Sequence, residues 1–146
     1  MKFKLIIDSN AEEEVVATLR ERGTLSQQLE ALILQHDSPE RLVGYLDDGV
    51  KLLHHSDIEC IVVEDGKTYA IDRQKVRYRL RLRLYELEQF LPSNFIRINK
   101  SALANEERLE RFSASFNGAV DAVFRSGYRE YISRRCFAQI KRRYGL

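Results

Sequence analysis

A chain of 146 residues with 44% hydrophobic content is long enough to bury a core as one domain with a small extension. It contains no apolar run of the roughly 18 residues that a membrane-spanning helix needs, and Met1–Asp8 carries too short an apolar stretch for a signal peptide, so a cytoplasmic protein is expected. The net charge of +2 hides an asymmetry: residues 1–50 hold 5 Lys/Arg against 10 Asp/Glu, and residues 51–146 hold 19 against 12.

In chain order, residues 2–7 (Lys-Phe-Lys-Leu-Ile-Ile) read as a strand. Ser9 or Asn10 can cap a helix from Ala11 to Arg22, with Glu12, Glu13 and Glu14 in the first turn, where the helix dipole favours acids. Ser26–Gln35 repeats a helical pattern, with Leu25, Leu29, Leu32 and Ile33 on one face, and Ser38-Pro39 breaks it. From Arg41 the pattern becomes that of strands. Leu42–Leu46 and Val50–Leu53 flank Asp47-Asp48-Gly49 as a hairpin. Ile58–Val63 and Thr68–Ile71 form another around Glu64-Asp65-Gly66-Lys67. Val76–Leu82 alternates strictly and sets Arg77, Arg79, Arg81 and Arg83 along one face. Four like charges on one strand face repel unless compensated, so these arginines are expected to meet acids of the leading segment or an interface. Leu84–Leu91 is a short helix stopped by Pro92, and Phe95–Ile98 is a strand. Leu109, Phe112 and Phe116 open a last hairpin region through Val120, Ala122 and Phe124. Ser126-Gly127 turns the chain into Tyr128–Ile132, and Arg134–Tyr144 is a terminal helix.

Two runs carry chemistry. Phe95-Ile96-Arg97-Ile98-Asn99-Lys100-Ser101-Ala102-Leu103-Ala104-Asn105 delivers donors to a strand end. Tyr131-Ile132-Ser133-Arg134-Arg135-Cys136 delivers Ser-Arg-Arg to a helix start. Arginine, lysine and hydroxyl side chains at such ends suit phosphates and base edges. The last 22 residues, 125–146, hold 7 basic residues and one acid, which suits a polyanion.

Together these runs resemble the signature of LytTR-type DNA-binding domains, with an "F-x-R-I-x-(K/R/N)-S-x-x-x-N" element and a later "(V/I)-S-R-R" element. Asp57–Tyr69 resembles the family's opening hairpin, and Leu84–Pro92 its "L-x-E-L-E-x-x-L-P" helix. The resemblance covers roughly residues 41–146. It implies a mostly β, α+β fold of elongated antiparallel sheets with short helices, here preceded by a strand-helix-helix extension over residues 1–40. That extension is too short for a receiver domain. The family uses loops, not a helix-turn-helix, to enter successive major grooves.

The resemblance also implies roles. Base contacts fall on Lys100, Arg134 and the hairpin loop around Lys67. Many family members have Asn where this chain has Lys100. Phosphate contacts are expected at Asn99, Ser101, Ser133, Arg135 and Lys141. For Ser101 and Ser133 a local cap or turn hydrogen bond is the competing reading. Arg97 is read as structural, paired to an acid, and Asn105 as a turn residue.

The implied function is a stand-alone bacterial transcriptional regulator that binds direct-repeat promoter elements on double-stranded DNA, usually as a homodimer. Members of this branch are often restrained by a small inhibitory membrane protein. No cofactor or metal is expected. His54 and His55 are adjacent and point apart on a strand, and no phosphate-loop, nucleophile-elbow or zinc-protease motif is present. Cys60 and Cys136 lack metal-ligand spacing and read as free buried thiols. An enzyme is not expected. The rival readings are an RNA-binding module, which would show exposed aromatics for stacking, and a protein-interaction module using the same basic face.

Overall fold

The computed structural model describes every residue of the chain except Ser38, Asp48, Ser115 and Phe116. The breaks read at Ser38 and Asp48 and the apolar position read at Phe116 therefore lie outside the described residues. The first regular element is helix α1 (Thr24–Asp37). Strands β1 (Arg41–Leu46) and β2 (Gly49–His54) then pair in antiparallel register, from Arg41 opposite His54 to Leu46 opposite Gly49. Gly44 is required by close approach: a Cβ there would sit 2.8 Å from Leu53 Cδ1 and 2.9 Å from Tyr78 Cβ.

Strands β3 (Ile58–Glu64) and β4 (Lys67–Asp72) are joined by Asp65-Gly66, at φ 52° and 73°. Two left-handed residues in a two-residue loop match the right-handed strand twist, which is why Asp-Gly marks such hairpins. After β4, the Asp72 carboxylate accepts the N–H groups of Gln74 and Val76, each at 2.9 Å, and turns the chain into β5 (Arg77–Leu80). Helix α2 (Leu84–Phe90) follows, its first turn closed by Glu86 accepting from the Arg83 N–H at 3.1 Å. Strands β6 (Phe95–Asn99) and β7 (Ala102–Asn105) complete a seven-stranded sheet of order β2-β1-β5-β4-β3-β7-β6. Strands β8 (Leu109–Ala114), β9 (Val120–Phe124) and β10 (Arg129–Ile132) form a second, three-stranded sheet, and helix α3 (Arg134–Tyr144) ends the chain.

Alternation along the strands builds two cores on opposite faces of the large sheet. One gathers Leu42, Leu53, Ile58, Ile61, Ala70, Tyr78 and Leu80 under Leu84, Leu87 and Leu91 of α2, with Ala31 of α1. The other gathers Cys60, Val62, Ile71, Ile98, Ala102 and Ala104 under the small sheet and α3, through Ala122, Phe124, Ile132, Cys136 and Ile140. Each fully buried Ile or Leu among them contributes about 1.5–3 kcal/mol. Both cysteines are free and buried, as expected, and burial pushes the Cys60 thiol well up, so it is held as the unreactive thiol.

The junction between the sheets rests on a buried charge. A register shift between Ile58 and Cys60 accommodates Glu59, which is fully buried. Its carboxylate accepts from Arg108 Nη2 at 3.1 Å, from the Ser126 N–H at 3.2 Å and from the Ser126 hydroxyl.

Three expectations are corrected. Residues 2–7 form no strand and residues 11–22 form no helix; both stretches are almost wholly exposed. A strand needs a ladder partner, and a lone helix of about a dozen residues without an apolar face to bury is marginal in water. Second, among the described residues no acid of the leading segment pairs with the arginine ladder, which leaves an interface as the other partner expected for it. Arg77 bridges Glu64 at 2.8 Å and lies 4.8 Å from the Tyr69 ring centroid. Arg81 lies 4.6 Å from the Tyr45 ring centroid and touches the leading segment through the neutral Gln27 amide at 3.5 Å. The flat guanidinium groups disperse their charge over aromatic faces as well as on Glu64. Third, Asn105, read as a turn residue, ends the strand β7, whose four residues are all buried.

Candidate nucleic-acid interface

The tight turn Asn99-Lys100-Ser101 links β6 to β7. A register shift between Arg97 and Asn99 breaks the strand alternation there and re-aims Asn99. Its side chain is 1% exposed; its amide donates to the Tyr131 carbonyl at 2.8 Å and its oxygen accepts from the Ser101 N–H at 2.7 Å. Asn99, expected to meet phosphate, is thus buried with both amide ends engaged, and it positions the turn instead. Arg97 is structural, as read: it pairs with Glu88 of α2 and donates to the Lys100 carbonyl at 2.8 Å. Asn105 is likewise internal, donating to the Ile58 carbonyl at 2.8 Å and accepting from Asn94 at 2.8 Å. With its carbonyl and N–H neighbours engaged, the turn leaves the Lys100 side chain exposed and Ser101 half-buried.

The second run lies directly beside the first. The Ser133 N–H donates to the Ile98 carbonyl at 2.9 Å, so the end of β10 continues the β6 edge. Ser133 is the N-cap of α3, its hydroxyl accepting from the Cys136 N–H at 3.2 Å. Arg134 and Arg135 occupy the first helical positions, where backbone N–H groups and the helix dipole already concentrate positive charge. The first turn of α3 contains no acid. At the far end of the helix, Arg143 bridges Glu106 at 2.6 Å and Tyr144 donates to the same carboxylate at 2.8 Å. Those contacts dock the tail and set the direction in which the N-terminus points.

The opening hairpin reaches the same end of the large sheet. The Val63 N–H donates to the Ser101 carbonyl at 2.8 Å, and the Asp65-Gly66 turn with Lys67 extends just beyond. Adjacent strands lie about 4.8 Å apart, so the hairpin tip and the Lys100 turn are separated by about 10–15 Å, the scale of a major groove. Lys67, Lys100, Arg134 and Arg135 are all exposed and make no ion pair among the described residues. Lys141 is exposed with its ammonium 5.1 Å from the Phe137 ring centroid. Beside Arg134 lies an open groove of about 440 Å³ bordered by Val120, Tyr131, Phe137 and Lys141. Of the eight candidates, the backbone bonds gather Lys67, Lys100, Ser101, Ser133, Arg134 and Arg135 at one end of the large sheet, Lys141 lies in the last turn of α3, and Asn99 is turned inward. The interlocking carbonyls of Ile98, Lys100 and Tyr131 were missed, because a sequence shows side chains and hides which backbone groups a bulge will offer.

The LytTr DNA-binding domain model matches residues 48–145, more than half of the chain. The chain belongs to the LytTR DNA-binding domain family. An uncharacterized HTH-type transcriptional regulator of Staphylococcus aureus (strain bovine RF122 / ET3-1) is 32% identical over 147 residues, covering 100% of this chain and 99% of that protein. Another, from strain MSSA476, is 34% identical over 110 residues, covering 75% of this chain and 74% of its own length. The LytTr DNA-binding domain of a putative methyl-accepting/DNA response regulator from Bacillus cereus superposes with a TM-score of 0.67 at 19% identity, covering 73% of this chain and 98% of that domain. That likeness establishes the LytTR fold of antiparallel sheets with short helices. Although the relatives' names say HTH-type, no two helices are consecutive among the described residues, so no helix-turn-helix is formed here. The family is a DNA-binding one, not an enzyme family. Among the described residues no helix is long and apolar enough to cross a membrane, and no His/Cys/Asp/Glu cluster could hold a metal.

Proposed function

We propose that this chain reads double-stranded DNA in a sequence-specific way as a bacterial transcriptional regulator, through the loops at one end of its large sheet. The observation that carries the reading is the convergence of three separate segments, at Lys67, Lys100 and Arg134, on that end with exposed cations that no described acid neutralises. Lys100 and Arg134 read base edges, Arg134 in the bidentate geometry that suits guanine, and Lys67 reads an adjacent edge from the hairpin tip. Ser101, Ser133, Arg135 and Lys141 hold phosphates and fix register without carrying sequence information. Asn99 acts behind them by joining the Lys100 turn to the strand that leads into Ser133. Two copies on a direct repeat would double the contact set, in keeping with the family's usual operators. Contact with the chromosome places the protein in the cytoplasm. Restraint by a small membrane protein would act by holding this same face, and a co-purified partner that blocks duplex binding would display it.

The test is a substitution series on a selected cognate duplex. Lys100→Ala and Arg134→Ala should each cost about 1–3 kcal/mol in binding and relax preference at one base position, whereas Arg135→Ala should weaken all duplexes alike and lower the salt slope by about 1. Unchanged specific affinity in both of the first two variants would remove the assigned base contacts.

A further inference from the structure

Two features of the described residues lack a partner within one chain, and each has what the other needs. The first is the edge of the large sheet. At its far side, the β6 edge is covered by Ser133, Tyr131 and α3, but β2 is open along Gly49–His54. An edge strand directs every second N–H and C=O outward, where it can receive another strand. Val50 and Leu52 are 61% and 43% exposed, and no proline or bulge interrupts the strand. Val50, Tyr45, Arg79 and Tyr69 stand opposite one another across β2, β1, β5 and β4, so an apolar rim leads onto a basic face. On that face Arg79 and Arg81 have no acid partner among the described residues.

The second feature is the leading segment. Residues 2–7 have the composition of a strand, and Phe3, Leu5, Ile6 and Ile7 are 71–88% exposed. Residues 5–17 carry Asp8, Glu12, Glu13 and Glu14 and no Lys or Arg. In the single chain this segment and the β2 edge are both unpaired among the described residues, which directs any pairing between them to a second copy.

We propose that residues 2–7 of one copy add as an eighth strand to the β2 edge of a second copy, reciprocally. Backbone hydrogen bonds would supply the pairing, Ile6 and its neighbours would cover Val50 and Leu52, and the acids that follow would cross to Arg79 and Arg81. Seven extended residues span about 23 Å, more than the roughly 14 Å from an added strand to β5. Such an exchange supplies a two-copy state but does not depend on which bases the loops read, because it is tested without DNA.

The experiment weighs the full chain by light scattering across a concentration series and follows amide hydrogen exchange. The wild type should reach twice the 17.1 kDa of one chain, with amides of residues 2–7 and 49–54 protected together. Ile6→Pro removes a ladder donor and Val50→Lys charges the rim. Both positions are exposed, so each variant should keep its fold, weigh one chain and lose that protection. A single-chain mass throughout, a two-chain mass unchanged in both variants, or protection of residues 2–7 in a single-chain species would each overturn the proposal.

Discussion

Asn99 shows how a buried side chain can bear on the proposed DNA interface from behind it. Its amide closes two backbone groups from different sheets, the Ser101 N–H and the Tyr131 carbonyl. Leaving a buried donor or acceptor unpaired costs about 1–3 kcal/mol. Asn99→Ala should therefore lower the unfolding free energy by that amount, and the denaturation midpoint with it, and weaken binding to every duplex, since the Lys100 turn and the Ser133 junction lose their common anchor. Weaker binding with an unchanged midpoint would instead make Asn99 a contact, because exposed substitutions usually stay within about 0.5 kcal/mol. Lys100 is the opposite case. Its carbonyl is fixed by Arg97 while its side chain remains in solvent, so its loss should be felt in recognition and not in folding.

At the scale of elements, the proposed reading makes the cap of α3 serve both folding and recognition. Ser133→Ala should cost about 1 kcal/mol of stability by removing the cap, and it should weaken all sequences similarly. Ser133→Asp separates the two roles: it keeps a capping oxygen and so the midpoint, but its charge repels phosphate. Undiminished DNA binding in Ser133→Asp would take this residue off the DNA face. Much at this scale was legible beforehand. Asp65-Gly66 announced its hairpin, Pro92 the end of α2, and the apolar face of Arg134–Tyr144 the last helix, which the structure ends at Gly145 with a φ of 70°. The failures share a cause. Strand and helix propensity in residues 2–22 met no tertiary partner, while the plain sequence Ala102–Asn105 became a buried strand because β3 and β6 flank it on both sides. Likewise Glu59 looked like one acid among many, and only the bulge beside it and Arg108 opposite make it the buried pin between the sheets.

For the molecule as a whole, charge and topology agree. Among the described residues no ion pair joins the acidic leading segment to the basic remainder, and the large sheet has one closed edge, where β6, β10 and α3 interlock, and one open edge at β2. Beside the closed edge the Lys100 turn and the start of α3 are held in fixed relation, as the proposed base reading requires, and the open edge is left for association. Preorganisation at the closed end lowers the ordering cost of binding, so specificity should rest on a rigid set of side chains and not on a loop that folds when DNA arrives.

The most direct measurement is selection of bound duplexes from a random pool, followed by titration of the enriched duplex against a scrambled one as salt is raised. Base reading by the three loops predicts short enriched elements, repeated about one or two helical turns apart, and a preference for them that survives about 150 mM salt. Binding that is blind to sequence and disappears as salt rises would contradict it, and would reduce the cationic end to an electrostatic surface.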